Sequence, residues 1–357
     1  MQQDPYEGKR VLMSGNEAAG EAAIRAGCRL YAGYPITPQN ELTAYMADQL
    51  PLRGGIFVQA ESEVAAINML YGASAAGARC LTSSSSPGVS LKQEGISYLA
   101  GSELPAVIIN MQRGGPGLGN IRPSQGDYYQ TTRGVGHGDY RTIALAPSTG
   151  QELCDLTYLA FDLADAYRTP VVVLGDGMLG QMMEPVRFDH LPDPRPPAKP
   201  WALTGEPGRE RRKIHSYYGT DQELAAMNQR LQDRYAIAHR RETRHEFVGP
   251  EDAEVLLAAY GTCARICREV VERPPRSLPF KVGLFRPITI WPFPAEPLAR
   301  AAEKVRGILA VEMSSGQMVD DVRLAVEGRC RVDLLARMGG RVPTAAEIMD
   351  KLASLAA

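Results

Sequence analysis

The chain has 357 residues, a formal net charge of −2 and 44% hydrophobic residues. That length holds two or three domains of ordinary size, and the near-balanced charge gives none of the basic surface by which nucleic-acid and anionic-membrane binders hold their ligands. The opening MQQDPYEGKRVLMSG lacks a basic stretch followed by an apolar run, and no apolar run reaches membrane-spanning length, so a cytoplasmic protein is expected.

From residue 10 to about 190, short β-rich runs alternate with helical stretches. RVLM, CRLYAG, GIFVQ, RCLTSS, PAVIINM, RTIAL and PVVVLGDG read as strands. NEAAGEAAIRAG, PQNELTAYMADQL, EVAAINMLYGASAAGA, VSLKQEGISYLAGS and TGQELCDLTYLAFDLADAY read as helices. The strands are continuously apolar rather than alternating, which suits a parallel sheet covered on both faces. Strand–helix alternation then predicts a doubly wound, mostly parallel α/β domain over 1–190. Residues 191–250 change character: HLPDPRPPAKPWALTGEPGRERRKIH is a Pro- and Arg-rich linker, followed by a charged helix with a modest apolar stripe. Over 251–357 the alternation restarts in AEVLLAAYG, KVGLFRP, GILAVEM and RVDLLARMGG, predicting a second, smaller α/β domain.

Ligands of open parallel sheets bind outside the carboxyl ends of the strands, so those loops carry the functional reading. In GYPITP, Thr37 stands between Pro35 and Pro38, which stiffen the backbone. Its hydroxyl is placed either to meet a small anion or merely within a tight strand-to-helix turn. In QRGGPGLGN, Arg113 follows a strand directly; it is suited to grip a carboxylate with two parallel hydrogen bonds, or to form a surface ion pair. The glycine spacing there matches neither a dinucleotide fingerprint nor a P-loop. In QAESE, Glu61 and Glu63 sit where an apolar strand runs into an apolar helix, although carboxylates are seldom buried without a partner. Helix N-terminal charge stabilisation accounts for one such Glu, and a bound cofactor is the alternative. The GDG at 175–177 reads as a turn or as part of a metal–diphosphate site, but the following stretch has no Asn to complete the latter. Cys263 and Cys267 lie one helical turn apart and read as structural thiols, since zinc or iron–sulfur ligation needs further clustered Cys or His.

Taken together, GNEA, AGCRLYAGYPITPQNE, FVQAESEVAAINM, SSSSPG, RGGPGLGN, HGDYR, AFDLAD, GQMMEPV and RPITIWPFP closely resemble the alpha subunit of the 2-oxoacid:ferredoxin oxidoreductases, nearest to the 2-oxoisovalerate, or branched-chain, type. The blocks cover nearly the whole chain. The resemblance implies a pyrimidine-binding domain and a transketolase C-terminal-like domain. It implies thiamine diphosphate held between two chains, with a beta subunit bringing the diphosphate and Mg²⁺ site. It also implies gamma and ferredoxin-like subunits carrying [4Fe–4S] clusters, CoA as co-substrate, and ferredoxin as acceptor. Aligned through the YGA after the helix, the family's Glu that bonds N1′ of the aminopyrimidine is Glu63, and Glu61 is left to a supporting or interface role. Thr37 and Arg113 align with the hydroxyl and guanidinium that hold the 1-carboxylate and 2-oxo group of the substrate. Ser85 and Ser86 end the next strand and line the same pocket without an assigned role. A 2-oxoglutarate or aryl 2-oxoacid enzyme is the alternative within the family. For 2-oxoglutarate, Lys92, Arg122, Arg133 and His137 are the candidate cations for a second carboxylate. Outside the family, the alternatives are a nucleotide-dependent dehydrogenase using GGPGLG and a non-catalytic scaffold.

Overall fold

The structure, a computed structural model, describes residues 6–134, 136–205, 208–274 and 278–354. The first five residues of the opening stretch and residues 206–207 of the linker thus lie outside the described residues.

In chain order the first part runs β1 (Val11–Ser14), α1 (Gly15–Arg25), β2 (Leu30–Gly33), α2 (Asn40–Leu52), β3 (Ile56–Gln59), α3 (Glu63–Ala75), β4 (Cys80–Ser84), α4 (Ser86–Gly101), β5 (Ala106–Gln112), α5 (Tyr128–Thr132), β6 (Ile143–Leu145), α6 (Gly150–Tyr167), β7 (Pro170–Asp176), α7 (Gly177–Gln181) and β8 (Met183–Val186). The charged helix α8 (Asp221–Arg241) follows, then β9 (His245–Val248), β10 (Val255–Ala258), α9 (Gly261–Glu272), β11 (Val282–Pro287), β12 (Thr289–Trp291), α10 (Ala295–Ala302), β13 (Gly307–Glu312), α11 (Met318–Val326), β14 (Arg331–Ala336) and α12 (Ala345–Ser354).

The larger sheet has the order β12-β6-β7-β5-β4-β2-β3 and is parallel except for β12. Its central strands β5 and β7 are buried along their whole length, as continuous apolar runs require. The smaller sheet has the order β14-β13-β10-β11-β9, with β9 antiparallel. RVLM, read as a strand of the buried sheet, instead pairs antiparallel with β8 in a two-stranded ladder. Its Leu12 is exposed although apolar, so the strand is not covered on both faces, which an antiparallel ribbon allows and the buried parallel sheet does not. The ladder feeds straight into α1, whose start is closed by a capping box between Ser14 and Glu17.

The two α/β units exchange strands. β9 lies before residue 251 yet adds to the smaller sheet, while β12 lies after it and adds to the larger. Side chains reinforce this joint. Gln125 Nε2 donates to Tyr260 O (2.8 Å), and Gln125 Oε1 accepts from Met313 N (3.0 Å). The fully buried Arg286 guanidinium bonds Glu152 at 2.7 Å and Glu246 at 3.1 Å. α8 packs by Met227, Leu231, Tyr235 and Ala238, the stripe expected of an amphipathic helix. Among the described residues, no helix is long and apolar enough to cross a membrane.

Candidate functional site

β2 leads by α2 to β3 on one side of the larger sheet, and β4 leads by α4 to β5 on the other; β2 and β4 are neighbours. A crevice opens outside the carboxyl ends of strands where connections diverge in this way. The loops after β2, β3, β4 and β5 therefore converge, and they contain Thr37, Glu63, Ser84 to Ser86, and Arg113.

Glu63 is the first residue of α3. Ser62 caps the helix by accepting from Ala65 N (3.1 Å), so the chain turns sharply and carries the Glu63 side chain inward. Glu63 is 6% exposed, whereas Glu61, two residues back, faces solvent. No hydrogen bond to the Glu63 carboxylate forms among the described residues. The hydroxyls of Ser84 and Ser85 are buried, and they too have no partner. Gly88, in the first turn of α4, lies against this cluster: a Cβ there would stand 2.2 Å from Ser84 Oγ and 2.6 Å from Glu63 Oε1. Only glycine leaves that space open.

Lys92, two turns into α4, is fully buried. Its Nζ donates to Thr82 Oγ1 (2.7 Å) and Ser83 O (3.0 Å). Burial pushes its amine down to about 7, and the Glu63 charge opposes that shift.

Arg113 is 7% exposed. Its Nη1 donates to Thr37 O (2.9 Å) and its Nη2 to Leu118 O (3.1 Å), so it ties the GYPITP loop to the glycine-rich loop. Its Nε is buried without a partner. A guanidinium has five N–H donors, so donors remain for an anion. Thr37 Oγ1 accepts from Asn40 Nδ2 (3.1 Å), and the loop is anchored where Asn16 Nδ2 donates to Pro38 O (2.9 Å). In the glycine-rich loop Gly119 has φ +58°, and a Cβ there would stand 1.7 Å from Gly114 O; no other residue fits this turn. Beneath Arg113, its own N–H donates to Ser86 Oγ (3.0 Å), and Ser86 Oγ donates to Asp127 Oδ2 (2.6 Å), which also accepts from Asn110 Nδ2 (2.9 Å). Burial pushes the Asp127 carboxyl up, against the pull of Ser86, Asn110 and Arg113.

The structure thus brings Thr37 and Arg113 into direct contact, and the first turn of α4 links them to Glu63. Ser86 turns to Arg113 and Asp127, while Ser85 keeps a free hydroxyl. Asn16, Asn110 and Asp127 carry no site signal in the sequence, and Lys92 stands there only as a candidate cation for a second substrate carboxylate, not as a neighbour of Glu63. Lys92 had a legible signal: it falls at helical spacing with Val89, Ile96 and Leu99, all buried. Asp176 of the GDG caps α7, accepting from Met178 N (3.0 Å) and Leu179 N (3.1 Å), as the turn reading expects. Cys263 and Cys267 are fully buried, and burial pushes both thiols upward. Of the four candidate cations for a second carboxylate, Lys92 is sealed, and Arg133 is paired with Asp321 and lies over the Tyr129 ring. Arg122 and His137 are exposed.

Such a site joins a dry carboxylate and unpaired hydroxyls, suited to the polar edge of a heterocycle, to a guanidinium–threonine pair suited to a carboxylate. Residues 21–254 match the family model described as pyruvate flavodoxin/ferredoxin oxidoreductase, thiamine diphosphate-binding, and residues 253–348 match pyruvate:ferredoxin oxidoreductase core domain II. The chain is 49% identical over 346 residues to the ketoisovalerate oxidoreductase subunit VorB of Methanothermobacter marburgensis, covering 97% of each. It is 35% identical over 371 residues to the 2-oxoglutarate synthase subunit KorA of the same organism, covering 96% of this chain and 98% of that one. A solved 2-oxoglutarate:ferredoxin oxidoreductase from Magnetococcus marinus, with 2-oxoglutarate, coenzyme A and succinyl-CoA bound, superposes with a TM-score of 0.83 at 26% identity. That superposition covers 99% of this chain, which spans 66% of the other.

The residues present fit an aminopyrimidine. Glu63 is buried and its carboxylate takes part in no hydrogen bond among the described residues, the Ser84 and Ser85 hydroxyls are unengaged, and Gly88 keeps the space beside Glu63 and Ser84 clear. With both domain matches, near full-length similarity to curated subunits and a crevice of this chemistry, the chain belongs to the pyruvate flavodoxin/ferredoxin oxidoreductase family, the 2-oxoacid:ferredoxin oxidoreductases.

Proposed function

We propose that this chain is the alpha subunit of a thiamine-diphosphate-dependent 2-oxoacid:ferredoxin oxidoreductase, converting a branched-chain 2-oxoacid and CoA to acyl-CoA, CO₂ and reduced ferredoxin. The observation that carries the reading is the constellation itself: a buried Glu63 without a hydrogen-bond partner among the described residues beside the unpaired Ser84 hydroxyl, joined through α4 to the Thr37–Arg113 clamp. When bound, the thiazolium carbon of thiamine diphosphate supplies the nucleophile and electron sink that decarboxylation of a 2-oxoacid needs. Glu63 holds or yields a proton at N1′ of the aminopyrimidine. Arg113 and Thr37 bind and orient the substrate's 1-carboxylate and 2-oxo group. Burial of Glu63, Ser84 and Ser85 keeps water from that edge.

The beta subunit brings the diphosphate and Mg²⁺ site, and other subunits bring the [4Fe–4S] clusters. Supporting this, Val64 on α3, Leu91 on α4, and Leu118 and Ile121 after Arg113 are exposed apolar side chains on the elements that carry the site. They suit a face closed by a partner chain. The branched-chain substrate is favoured by the 49% identity to a ketoisovalerate oxidoreductase subunit. It is also favoured by the engagement of Lys92 and Arg133 elsewhere, which withdraws two cations that a distal carboxylate needs. A protein working on CoA esters with ferredoxin belongs in the cytoplasm.

The test is reconstitution. The chain alone is expected to give no CoA-dependent viologen reduction with any 2-oxoacid. The complex assembled with its partner subunits is expected to turn over 2-oxoisovalerate faster than 2-oxoglutarate. Robust turnover by the isolated chain sinks the shared site, and a preference for 2-oxoglutarate sinks the substrate assignment.

A further inference from the structure

A buried carboxylate without a partner is costly unless a countercharge or a ligand compensates it. Glu63 has no ion pair within bonding distance among the described residues, yet a second ionisable group is buried with it. Lys92 lies on the apolar stripe of α4 between Val89 and Ile96, and none of its side chain reaches solvent. Its amine meets two acceptors, Thr82 Oγ1 and Ser83 O, both on β4. A neutral amine has two N–H donors and is fully matched by them; an ammonium has a third donor and needs a countercharge nearby. Lys92 lies one helical turn after Gly88, where a Cβ would stand 2.6 Å from Glu63 Oε1, and one turn before Gly95, which lies against Ile67 of α3, so Lys92 is on the side of α4 that packs on α3 and Glu63; the Glu63 charge acts on its amine. From β4 Lys92 meets the Thr82 hydroxyl and the Ser83 carbonyl, and along its own helix the buried Val89 and Ile96 flank it.

We propose that Lys92 is a positioning residue of this site, a buried charge partner behind Glu63 that governs where the proton shared between Glu63 and the aminopyrimidine nitrogen resides. The inference rests on the reading of Glu63 given above. As ammonium, Lys92 stabilises the Glu63 carboxylate and so moves the shared proton onto the ring. As neutral amine, it withdraws that support, and the proton stays with the carboxyl group. Burial brings the amine close to the pH at which this exchange matters, down to about 7.

The experiment uses the assembled complex with parent, K92M, K92R and E63Q alpha chains. First, the alpha chain carries [ε-¹³C]lysine, and the cofactor-free complex is titrated by NMR. The resonance missing in K92M and K92R is that of Lys92. It is expected to titrate near neutrality, and in E63Q to move lower by on the order of one pH unit, since loss of the negative charge removes support for the ammonium. Second, thiamine diphosphate is added and the circular dichroism of the N1′-protonated ring is followed against pH. K92M is expected to shift that profile to lower pH. K92R, which stays charged, is expected to restore the protonated ring at neutral pH. If E63Q leaves the ring signature intact, the reading of Glu63 fails. If E63Q abolishes it while the Lys92 resonance titrates in the ordinary lysine range, or is unmoved by E63Q, the inference about Lys92 is overturned and the reading of Glu63 stands. Should K92M not assemble, K92R identifies the resonance, and the comparison with E63Q still decides.

Discussion

In the smaller unit, Glu312 ends β13 and is fully buried; its carboxylate accepts from Ser314 Oγ, Gln317 N, Met318 N and Val319 N at 2.8–3.0 Å. In the larger unit, Glu63 opens α3 and is almost as buried, yet none of the hydrogen bonds among the described residues reaches its carboxylate, and the hydroxyls of Ser84 and Ser85 nearby are unpaired. Both glutamates stand at strand-to-helix junctions, where helix N-termini favour negative charge. The difference lies in saturation. Glu312 closes the start of α11, and the same stretch docks on the first unit through Gln125 and Met313. Glu63 leaves its bonding capacity open, which a folded chain sustains at a cost and which suits a partner arriving later.

Mutating the pair tests the comparison most directly. E63Q in the assembled complex is expected to slow C2 proton exchange of bound thiamine diphosphate by about 10²–10⁴-fold, the range of a general acid–base group, with the unfolding midpoint of the chain unchanged or raised. E312A is expected to do the reverse. It leaves buried donors unpaired, costs on the order of 4 kcal/mol in denaturant unfolding, and spares the exchange rate of whatever protein folds. Equal destabilisation by the two variants breaks the distinction.

Lys92 sharpens it, because Glu63 has a buried amine behind it. The folded chain gives up the Lys92 proton near 7, and the unfolded chain near the ordinary 10.5. Between those values the unfolded state binds more protons, so stability rises with pH. Below about 7 both states hold the proton, and the cost of burying the charge, of order a few kcal/mol, is present in full. The difference in urea stability between parent and K92M is therefore expected to move in the parent's favour from pH 7 to 10.5. A flat difference means that the amine is not held in the neutral form.

The smallest effects concern the clamp. R113K keeps the charge but loses the planar fork, and is expected to reduce kcat/KM for the best 2-oxoacid by roughly 1–3 kcal/mol with cofactor affinity unchanged. T37V removes the hydroxyl and keeps the shape. Since Arg113 Nη1 bonds Thr37 O at 2.9 Å, the two substitutions are expected to be non-additive in a double-mutant cycle. Strict additivity separates the loops that the structure joins.

Local chemistry determined much of this molecule. Apolar runs such as AVIINMQ and PVVVLGD leave no polar face and so demand a sheet covered on both sides. The Ser–Glu step at 62–63, ahead of an apolar helical run, marks a helix start, because Ser62 satisfies a free amide there. The prolines of GYPITP, the glycines of GGPGLG and the single Arg113 marked the loops worth reading. Tertiary structure alone decided the rest. β1 left the main sheet for a ladder with β8, and β9 and β12 crossed between the units, because strand partners are chosen by which edges meet in space. Arg113 turned out to hold Thr37 O and Leu118 O, contacts between loops that local spacing cannot foresee. Lys92, in the sequence a candidate cation for a substrate carboxylate, became a buried amine because the face of α4 that carries it packs inward on Thr82 and Ser83 of β4. A residue's type and spacing state what it is able to bond; only the packed neighbours determine whether that capacity is spent within the chain or kept for a ligand.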